Sequence, residues 1–163
     1  MEILDIVDKN DQVVGTAPKP DVYTRLLCHR IVHVLIFNDQ GKMALQMRSA
    51  KVSFCPLHWS TAVGGHVQSG ETYETAGLRE YEEELGMKSQ LQFLRKDFYQ
   101  LPNRPDKFLV TFTSNFNGPF NPDLEVVEKV DFFSLPEIKT MIATGEKFHP
   151  ELLYILEKHF FKN

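Results

Sequence analysis

Short runs of apolar and β-branched residues alternate with polar turns along the chain, and this pattern predicts strands on both sides of one central helix. The predicted strands are Ile3–Val7, Val13–Thr16, Arg30–Phe37, Met43–Met47, Ser60–Val63, Gln92–Gln100, Phe108–Phe116 and Val126–Phe133. Polar stretches at Asp8–Gln12 and Asn38–Gly41 predict that the first two strands, and the next two, pair as hairpins. Two prolines interrupt the pattern at Ala17–Asp21, and Ser49–Trp59 is predicted as an irregular loop.

Apolar residues recur at helical spacing in three later segments, which are Thr72–Leu85, Leu135–Ala143 and Glu151–Phe161. In the first of them Leu78, Tyr81 and Leu85 form an apolar stripe, and Gly86 is placed to end the helix. The last segment is amphipathic, with four residues expected to face inward, Leu152, Ile155, Leu156 and Phe160. Strands that surround a central helix and are followed by further helices predict an α/β (α+β) sandwich with mixed sheets.

The bulk composition is that of an ordinary globular protein, with 163 residues, 42% hydrophobic and 25% charged. We therefore expect one domain spanning residues 1–163. A net charge of −4 argues against binding to a nucleic-acid polymer, because such proteins usually carry a basic surface. The sequence has no apolar stretch long enough to span a membrane and no secretory signal pattern, so a cytoplasmic location without membrane partners is expected.

The densest chemical signal lies in Gly65–Met87, GHVQSGETYETAGLREYEEELGM. Glu80, Glu83 and Glu84 stand at helical spacing on one face, where like charges repel one another. A divalent cation would offset that repulsion, and Mg²⁺ commonly bridges protein carboxylates to substrate phosphates. The alternative for these three residues is a solvated acidic helix face. The cluster predicts a metal site for chemistry on a phosphate or diphosphate.

Two further residues of this segment have a structural alternative beside a functional one. Glu71 stands near the predicted start of the helix, where a carboxylate either caps the helix or takes part in catalysis. Arg79 lies one helical turn from Glu82 and Glu83. We expect it to form an internal ion pair that orients the carboxylates rather than to remain a solvated surface residue.

The spacing of the whole segment resembles the Nudix box, the signature of hydrolases acting on nucleoside diphosphates linked to another group. Every fixed glycine and polar position of the box is matched, by Gly65, Glu71, Arg79, Glu80, Glu83, Glu84 and Gly86. One departure is Tyr81, where the family usually has an aliphatic residue. The resemblance implies the Nudix fold, an α/β/α sandwich with a mixed β-sheet whose loop–helix–loop motif at residues 65–87 carries the catalytic groups.

The same resemblance implies roles for individual residues. Glu80, Glu83, Glu84 and the carbonyl group of Gly64 would bind Mg²⁺ or Mn²⁺, and Glu80 or Glu83 would accept the proton of the attacking water. Members of the family also recruit a glutamate from outside the box, for which Glu125 and Glu128 are the candidates, with an ordinary surface position as the alternative. The expected partner is a small-molecule diphosphate substrate, and a homodimer is compatible with the resemblance.

The flanking chain is similar to the isopentenyl-diphosphate-isomerase-like branch of this family. The resemblance rests on His29-Arg30, His33, Ile36-Phe37-Asn38, Gly41, Gln46-Met47-Arg48-Ser49, Pro56, Trp59 and Gly65-His66-Val67. His29 and His66 match two isomerase metal-ligand positions, but Val22 stands at a third and Gly64 replaces the catalytic cysteine. A hydrolase is therefore favoured over an isomerase, and a non-catalytic nucleotide-sensing module is a further alternative.

Four residues are candidates for contact with the substrate. Arg48 and His66 could bind phosphate, Trp59 could stack on a base, and Glu128 could add a carboxylate. Each has a structural alternative, as a surface cation, a loop hydrogen-bonding group, a loop anchor and a surface acid respectively. The roles of His29 and His33, the identity of the diphosphate, the number of metal ions and the oligomeric state stay open at this stage.

Overall fold

The structure, a computed structural model, describes residues 1–161. Its strands are β1 (Ile3–Val7), β2 (Val13–Pro18), β3 (His29–Phe37), β4 (Met43–Arg48), β5 (Trp59–Thr61), β6 (Val63–His66), β7 (Gln92–Tyr99), β8 (Lys107–Asn115) and β9 (Val127–Phe133). Its helices are α1 (Lys19–Thr24), α2 (Tyr73–Leu85), α3 (Leu135–Ala143) and α4 (Pro150–His159). No helix within residues 1–161 has the length and apolar character needed to cross a bilayer.

Seven strands form one mixed sheet, in which β5, β4, β3, β8 and β7 lie side by side in that order. Strand β6 also pairs with β3, and β9 also pairs with β4. The β3–β8 pair is parallel and the other pairs are antiparallel. Strands β1 and β2 form a separate antiparallel hairpin, as the sequence predicts. The predicted mixed sheet is therefore confirmed.

Helices cover both faces of this sheet. Successive residues of β3 point to opposite faces and belong to two different buried clusters, each of which includes helical residues. Val32, Val34 and Ile36 pack with Tyr81 and other residues of α2 on one face. On the other face, residues of β3, β4, α3 and α4 form the second cluster, which includes Leu35, Met43, Leu45, Ile138, Leu152, Ile155 and Leu156. The inward face predicted for the last helix is thus confirmed, and the architecture is the expected α/β/α sandwich.

The predicted second hairpin holds only at its turn. Strands β3 and β4 pair at Phe37 and Met43 alone, because β4 then diverges to pair with β5 and β9 while β6 pairs with β3. The predicted strand at residues 60–63 is also divided, between β5 and β6. The break predicted at Ala17–Asp21 instead contains the end of β2 and the start of α1, whose first turn accepts Pro20.

Helix α2 positions the acidic cluster and has well-defined ends. Thr72 is its N-cap and accepts a hydrogen bond from the Thr75 backbone N–H, so the capping role considered for Glu71 is wrong. Gly86 ends the helix in the left-handed conformation (φ = 73°), as the sequence predicts. The buried face includes Tyr81 and Leu85, whereas Leu78 is only half-buried.

Candidate active site

A cavity of about 700 Å³, here called the main cavity, opens beside β6 and one face of α2. Acidic side chains line it, namely Glu2, Glu80, Glu83, Glu84, Asp123 and Glu151. Four cationic side chains also line it, namely Lys19, Arg48, Arg104 and Lys107. Gly64, Gly65 and His66 form part of its wall, so the predicted box glutamates and the glycine loop lie together. A site with both signs of charge suits a metal-bound anionic ligand.

Arg79 ties the acidic cluster together from within α2. Its Nε and Nη2 atoms donate to the two carboxylate oxygens of Glu71 at 2.7 and 2.9 Å, as a bidentate pair. Its Nη1 donates to Glu80 at 2.8 Å and to Glu83 at 3.2 Å. The predicted partner Glu83 is therefore found, but Glu82 instead forms an ion pair with Lys88. Arg79 thus orients three carboxylates at once.

Glu71 connects this cluster to the loop before α2. Its Oε1 accepts a hydrogen bond from the Gln68 backbone N–H at 2.8 Å in addition to the two bonds from Arg79. These hydrogen bonds, those from Arg79 above all, hold the pKa of Glu71 below its ordinary value against the effect of burial. Glu71 is therefore held in its ionised form and positions Arg79 rather than acting as a general acid.

Glu80 and Glu84 form a coupled acidic pair. Burial raises the pKa of both carboxyl groups, and at Glu84 the adjacent Glu80 raises it further. Gln46 donates to Glu84 Oε1 at 2.8 Å and to the Ala62 carbonyl at 2.9 Å, which holds the Glu84 side chain toward β6. Two facing carboxyls share a proton when no cation is near, and both are ionised beside a divalent cation.

These residues fit a divalent metal. Glu80, Glu83 and Glu84 supply only oxygen donors, which Mg²⁺ prefers, and Gly64 lines the same cavity. Burial raises the pKa of Glu80 and Glu84, at Glu80 despite the hydrogen bond from Arg79, and a divalent cation would favour the ionised form of both carboxyl groups. Within residues 1–161 no group of three or more Asp, Glu, His or Cys side chains is arranged so that it could hold a metal ion. Arg79 holds one oxygen of Glu80 and one of Glu83.

His66 lies in the cavity wall as a neutral, hydrogen-bonded ring. Its Nε2 lies 2.6 Å from the Tyr23 hydroxyl group, and its ring stacks on His29 with 5.6 Å between centroids. Burial lowers the pKa of His66 to about 3 and that of His29 to about 4. The His66 carbonyl also accepts from Arg79 at 3.1 Å, which joins the glycine loop to α2.

His33, Glu151 and Lys107 form a buried network in another wall of the main cavity. His33 Nε2 lies 2.8 Å from one Glu151 oxygen, and Lys107 Nζ donates to the other at 2.9 Å. The other His33 nitrogen bonds Thr61 at 2.7 Å. Burial opposes ionisation of Glu151, but the hydrogen bond from His33 and the charge of Lys107 hold its pKa far below the ordinary value. Glu151 is thus a permanently charged acceptor.

Comparison with known proteins identifies the family that shares this arrangement. The profile of the NUDIX domain matches residues 28–154. The chain belongs to the Nudix family. An uncharacterized Nudix hydrolase of Nostoc sp. is 46% identical over 163 residues, covering 98% of this chain and 96% of the relative. The predicted resemblance is confirmed, and membership makes the chain a Nudix hydrolase of phosphoanhydride bonds.

Two further comparisons refine the place of this Nudix protein. An isopentenyl-diphosphate Δ-isomerase of Photorhabdus laumondii is 34% identical over 147 residues, covering 86% of this chain and 82% of the relative. A crystal structure from Deinococcus radiodurans is similar with a TM-score of 0.85 and 26% identity, covering 98% and 99% of the two chains. The predicted likeness to the isomerase-like branch is therefore confirmed, together with the fold.

Two of the substrate-contact candidates do not line the main cavity of this Nudix domain. Trp59 is buried in the second core, where its ring meets Phe133 edge-on at 5.2 Å and its Nε1 donates to Glu146 at 3.1 Å. The loop-anchor alternative fits it, and the base-stacking prediction is wrong for this conformation. Glu128 is exposed on β9 and is absent from the lining residues. From the same region Asp123 and Val126 reach the cavity instead.

The structure adds four residues that were not predicted individually from the sequence, although the loop Leu101–Lys107 was expected to take part in substrate recognition. Glu151, His149, Lys107 and Arg104 all line the main cavity. They come from the N-cap and first turn of α4, the first residue of β8 and the loop before it, all outside the Nudix box. No spacing in the sequence links them to the box glutamates, because only the fold brings these segments together. The candidates Arg48 and His66 do lie in the cavity wall.

Proposed function

We propose that this protein is a Mg²⁺- or Mn²⁺-dependent hydrolase that cleaves the diphosphate linkage of a nucleoside diphosphate derivative or a related small molecule. The observation that carries the proposal is the convergence of Glu80, Glu83 and Glu84 on one wall of a cavity whose other walls bear cations. Membership of the Nudix family supports the same reaction class. Water would add across the P–O–P bond, and each of the two products would carry one of the phosphate groups.

The acidic wall holds the proposed metal ligands, Glu80, Glu83, Glu84 and Gly64. When bound, the metal supplies a Lewis acid that activates water and offsets the negative charge on the phosphates. Arg79 keeps Glu80 and Glu83 in place through hydrogen bonds of 2.8 and 3.2 Å. Glu71 in turn fixes Arg79 through its bidentate pair, so both residues act by positioning. This division of roles accounts for each polar position of the box.

Glu83 is our first candidate for the proton acceptor, with Glu80 as the second. Glu83 is exposed toward the main cavity and makes a single, longer hydrogen bond to Arg79, so its other oxygen is available to water. Glu80 is buried against Gly65 and is held more tightly by Arg79. A general base must reach the proton it removes, which favours the more accessible group.

The cationic side of the cavity supports the substrate assignment. Arg48 lines the cavity and donates through the Nε atom of its guanidinium group to the Phe54 carbonyl at 2.9 Å, so the two Nη atoms are not used by this bond. Arginine recognises phosphate through paired N–H donors, so Arg48 is a candidate for the phosphate distant from the metal. Neutral His66, whose Nε2 lies 2.6 Å from the Tyr23 hydroxyl group, adds a hydrogen-bonding ring to the cavity wall beside the glycine loop.

An isomerase is the second candidate, because a relative named as one is 34% identical to this chain. The position expected to carry the isomerase cysteine is Gly64, and a Cβ atom added there would lie 3.1 Å from His33 Nδ1. A larger side chain at this position would require His33 to shift. Incorporation of deuterium from D₂O into isopentenyl diphosphate would favour the isomerase, and metal-free nucleotide binding without turnover would favour the sensing alternative.

The deciding experiment measures phosphate or monophosphate release from a panel of diphosphates with Mg²⁺ or Mn²⁺. The panel includes nucleoside triphosphates, ADP-ribose, NADH, sugar nucleotides, dinucleoside polyphosphates and isopentenyl diphosphate. Turnover of one class that requires metal and is lost in Glu84→Gln supports the proposal. If the wild-type protein is folded and binds metal but releases no phosphate or monophosphate from any compound of the panel, the proposal is contradicted.

A further inference from the structure

A second cavity, of about 290 Å³ and here called the side cavity, adjoins the main cavity. The two share four lining residues, Phe54, Arg104, Lys107 and Glu151. The rest of the side cavity is formed by the end of β7, the segment before β8 and the start of α4. A ligand whose phosphates lie in the main cavity can therefore extend past these four residues into a separate compartment.

The shared residues are fixed in pairs. The Arg104 guanidinium carbon lies 4.9 Å from the centroid of the Phe54 ring, and His149 meets the same ring edge-on at 5.3 Å. Lys107 Nζ donates a hydrogen bond to Glu151 Oε2 at 2.9 Å, so the two opposite charges of this pair offset one another at the side cavity. The boundary between the two cavities is thus an aromatic ring with a cation against it.

The remaining walls of the side cavity are mostly apolar. They include Tyr99 and Pro105, which are buried, and Leu101, which is 40% exposed. Phe54 is 38% exposed on the other rim. Large apolar side chains left open around a concave surface favour an apolar or aromatic ligand group over a polar one.

Arg104 decides between a flat ring and an aliphatic chain. Among residues 1–161 no Asp or Glu forms an ion pair with Arg104, which is exposed and lies over Phe54. An aliphatic group placed against this guanidinium would remove water from the charge without replacing it. A flat aromatic ring compensates for that loss, since its π-face attracts the cation and stacks on a guanidinium or a phenyl ring.

The backbone next to Phe54 and Arg104 contains left-handed residues. Cys55 and Leu57, which follow Phe54, have φ values of 50° and 56°, and Asn103, which precedes Arg104, has a φ of 61°. Residues with side chains seldom adopt this left-handed conformation, and such strain concentrates at ligand-binding segments. Residues in this conformation thus lie next to Phe54 and Arg104 in both loops.

We propose that the side cavity binds a flat aromatic ring system in the organic part of the substrate, such as a nucleobase, with Phe54 and Arg104 as the residues that determine this specificity. The inference rests on the proposed function for the placement of the diphosphate in the main cavity. A substrate of this class would be held at both ends, by its phosphates on the charged walls and by its ring beside Phe54.

The test compares AMP with ribose 5-phosphate by calorimetric titration of the metal-free protein of 163 residues. The two probes share the phosphate and the sugar, so their difference in affinity reports the ring alone. We expect AMP to bind the wild type about tenfold more tightly, the scale of one stacking contact. Phe54→Ala and Arg104→Ala should each remove most of this preference, whereas Phe54→Trp should retain it.

Leu57→Ala is the matched control, because Leu57 is an exposed apolar residue of the same loop that lines neither cavity. It should bind both probes like the wild type. Equal affinities for AMP and ribose 5-phosphate in the folded wild type would overturn the inference, as would tighter binding of isopentenyl diphosphate than of ADP. The titration needs neither metal nor turnover, so it tests this inference even if the proposed hydrolysis fails. If the protein hydrolyses diphosphates but binds AMP and ribose 5-phosphate equally, only this inference is overturned.

Discussion

The backbone of Gly65 lies directly against the carboxyl group of Glu80. A Cβ atom added at residue 65 would lie 2.5 Å from Glu80 Oε1 and 2.8 Å from its Cγ. No side chain fits at residue 65 unless Glu80 moves, and Glu80 also lies beside Glu84 and accepts a hydrogen bond from Arg79. The glycine of the box is thus required by close approach to a proposed metal ligand.

Gly65→Ala should therefore impair catalysis more than folding. Displacement of Glu80 by about 1 Å is expected to lower kcat/KM roughly 10²-fold, the usual cost of misplacing a catalytic group by that distance. Steady-state turnover of the best diphosphate and a thermal melt would be measured together. Gly15→Ala is the control, since a Cβ atom there meets nothing within 4 Å. Turnover near that of the wild type in Gly65→Ala would contradict the contact.

Substitutions on a single helix face separate the proposed metal ligands from ordinary acids. Glu83→Gln and Glu84→Gln should each lower turnover by at least about 10², because each removes an electrostatic group from the reaction centre. Glu82→Gln should be nearly neutral, since Glu82 is exposed and pairs with Lys88 at 3.2 Å outside the main cavity. Rate constants at saturating Mg²⁺ test this, and equal effects of all three changes would indicate a merely solvated acidic face.

Metal binding should also be visible without substrate. If Glu80, Glu83 and Glu84 bind Mn²⁺ only in the folded state, then metal at about 100 times its Kd adds about 2.7 kcal/mol to the free energy of unfolding. The melting temperature should rise with Mn²⁺ concentration in the wild type and in Glu82→Gln, but not in Glu84→Gln. A rise of equal size in Glu84→Gln would place the metal elsewhere.

Local signals in the sequence predicted the elements that carry the site. The end of α2 at Gly86 was predictable because a left-handed C-cap favours glycine, and the box residues share one helix and one preceding loop. The pairing of β3 with β4 was not, because strand partners are decided by the packing of distant segments rather than by the connecting turn. Trp59 was similarly ambiguous, since an aromatic residue next to a loop can pack inward or face a ligand.

The parts of the candidate site that escaped prediction are those assembled from afar. Glu151 and His33 are separated by 118 positions yet lie 2.8 Å apart. Their contact needs α4 to return across the sheet, and nothing in the first turn of that helix distinguishes a buried ion-pair acceptor from an ordinary N-terminal acid. Phe54 and Arg104 meet through two irregular loops, for which neither periodicity nor a motif exists.

A buried carboxylate outside the site provides a prediction about stability. Asp11 accepts hydrogen bonds from Arg30 Nε at 2.7 Å and from the Tyr73 hydroxyl at 2.9 Å, and Lys96 forms an ion pair with it at 2.5 Å. It therefore ties the β1–β2 hairpin to β3, α2 and β7. Burial alone would raise the pKa of Asp11, but the hydrogen bonds from Lys96, Arg30 and Tyr73 outweigh it and hold the pKa below its ordinary value.

Asp11→Asn should lower the free energy of unfolding at pH 7 by about 2–3 kcal/mol, because it leaves Arg30 and Lys96 without their anionic partner. A lowered native pKa contributes stability above the unfolded-state pKa near 3.9, and this contribution is lost as the pH falls through the native value. The difference between the variant and the wild type should therefore be full at pH 6 to 7 and shrink below about pH 4. Urea unfolding at several pH values measures it, with kcat as the control for an intact site. A difference that stays constant down to pH 2 would show that Asp11 does not act through its charge.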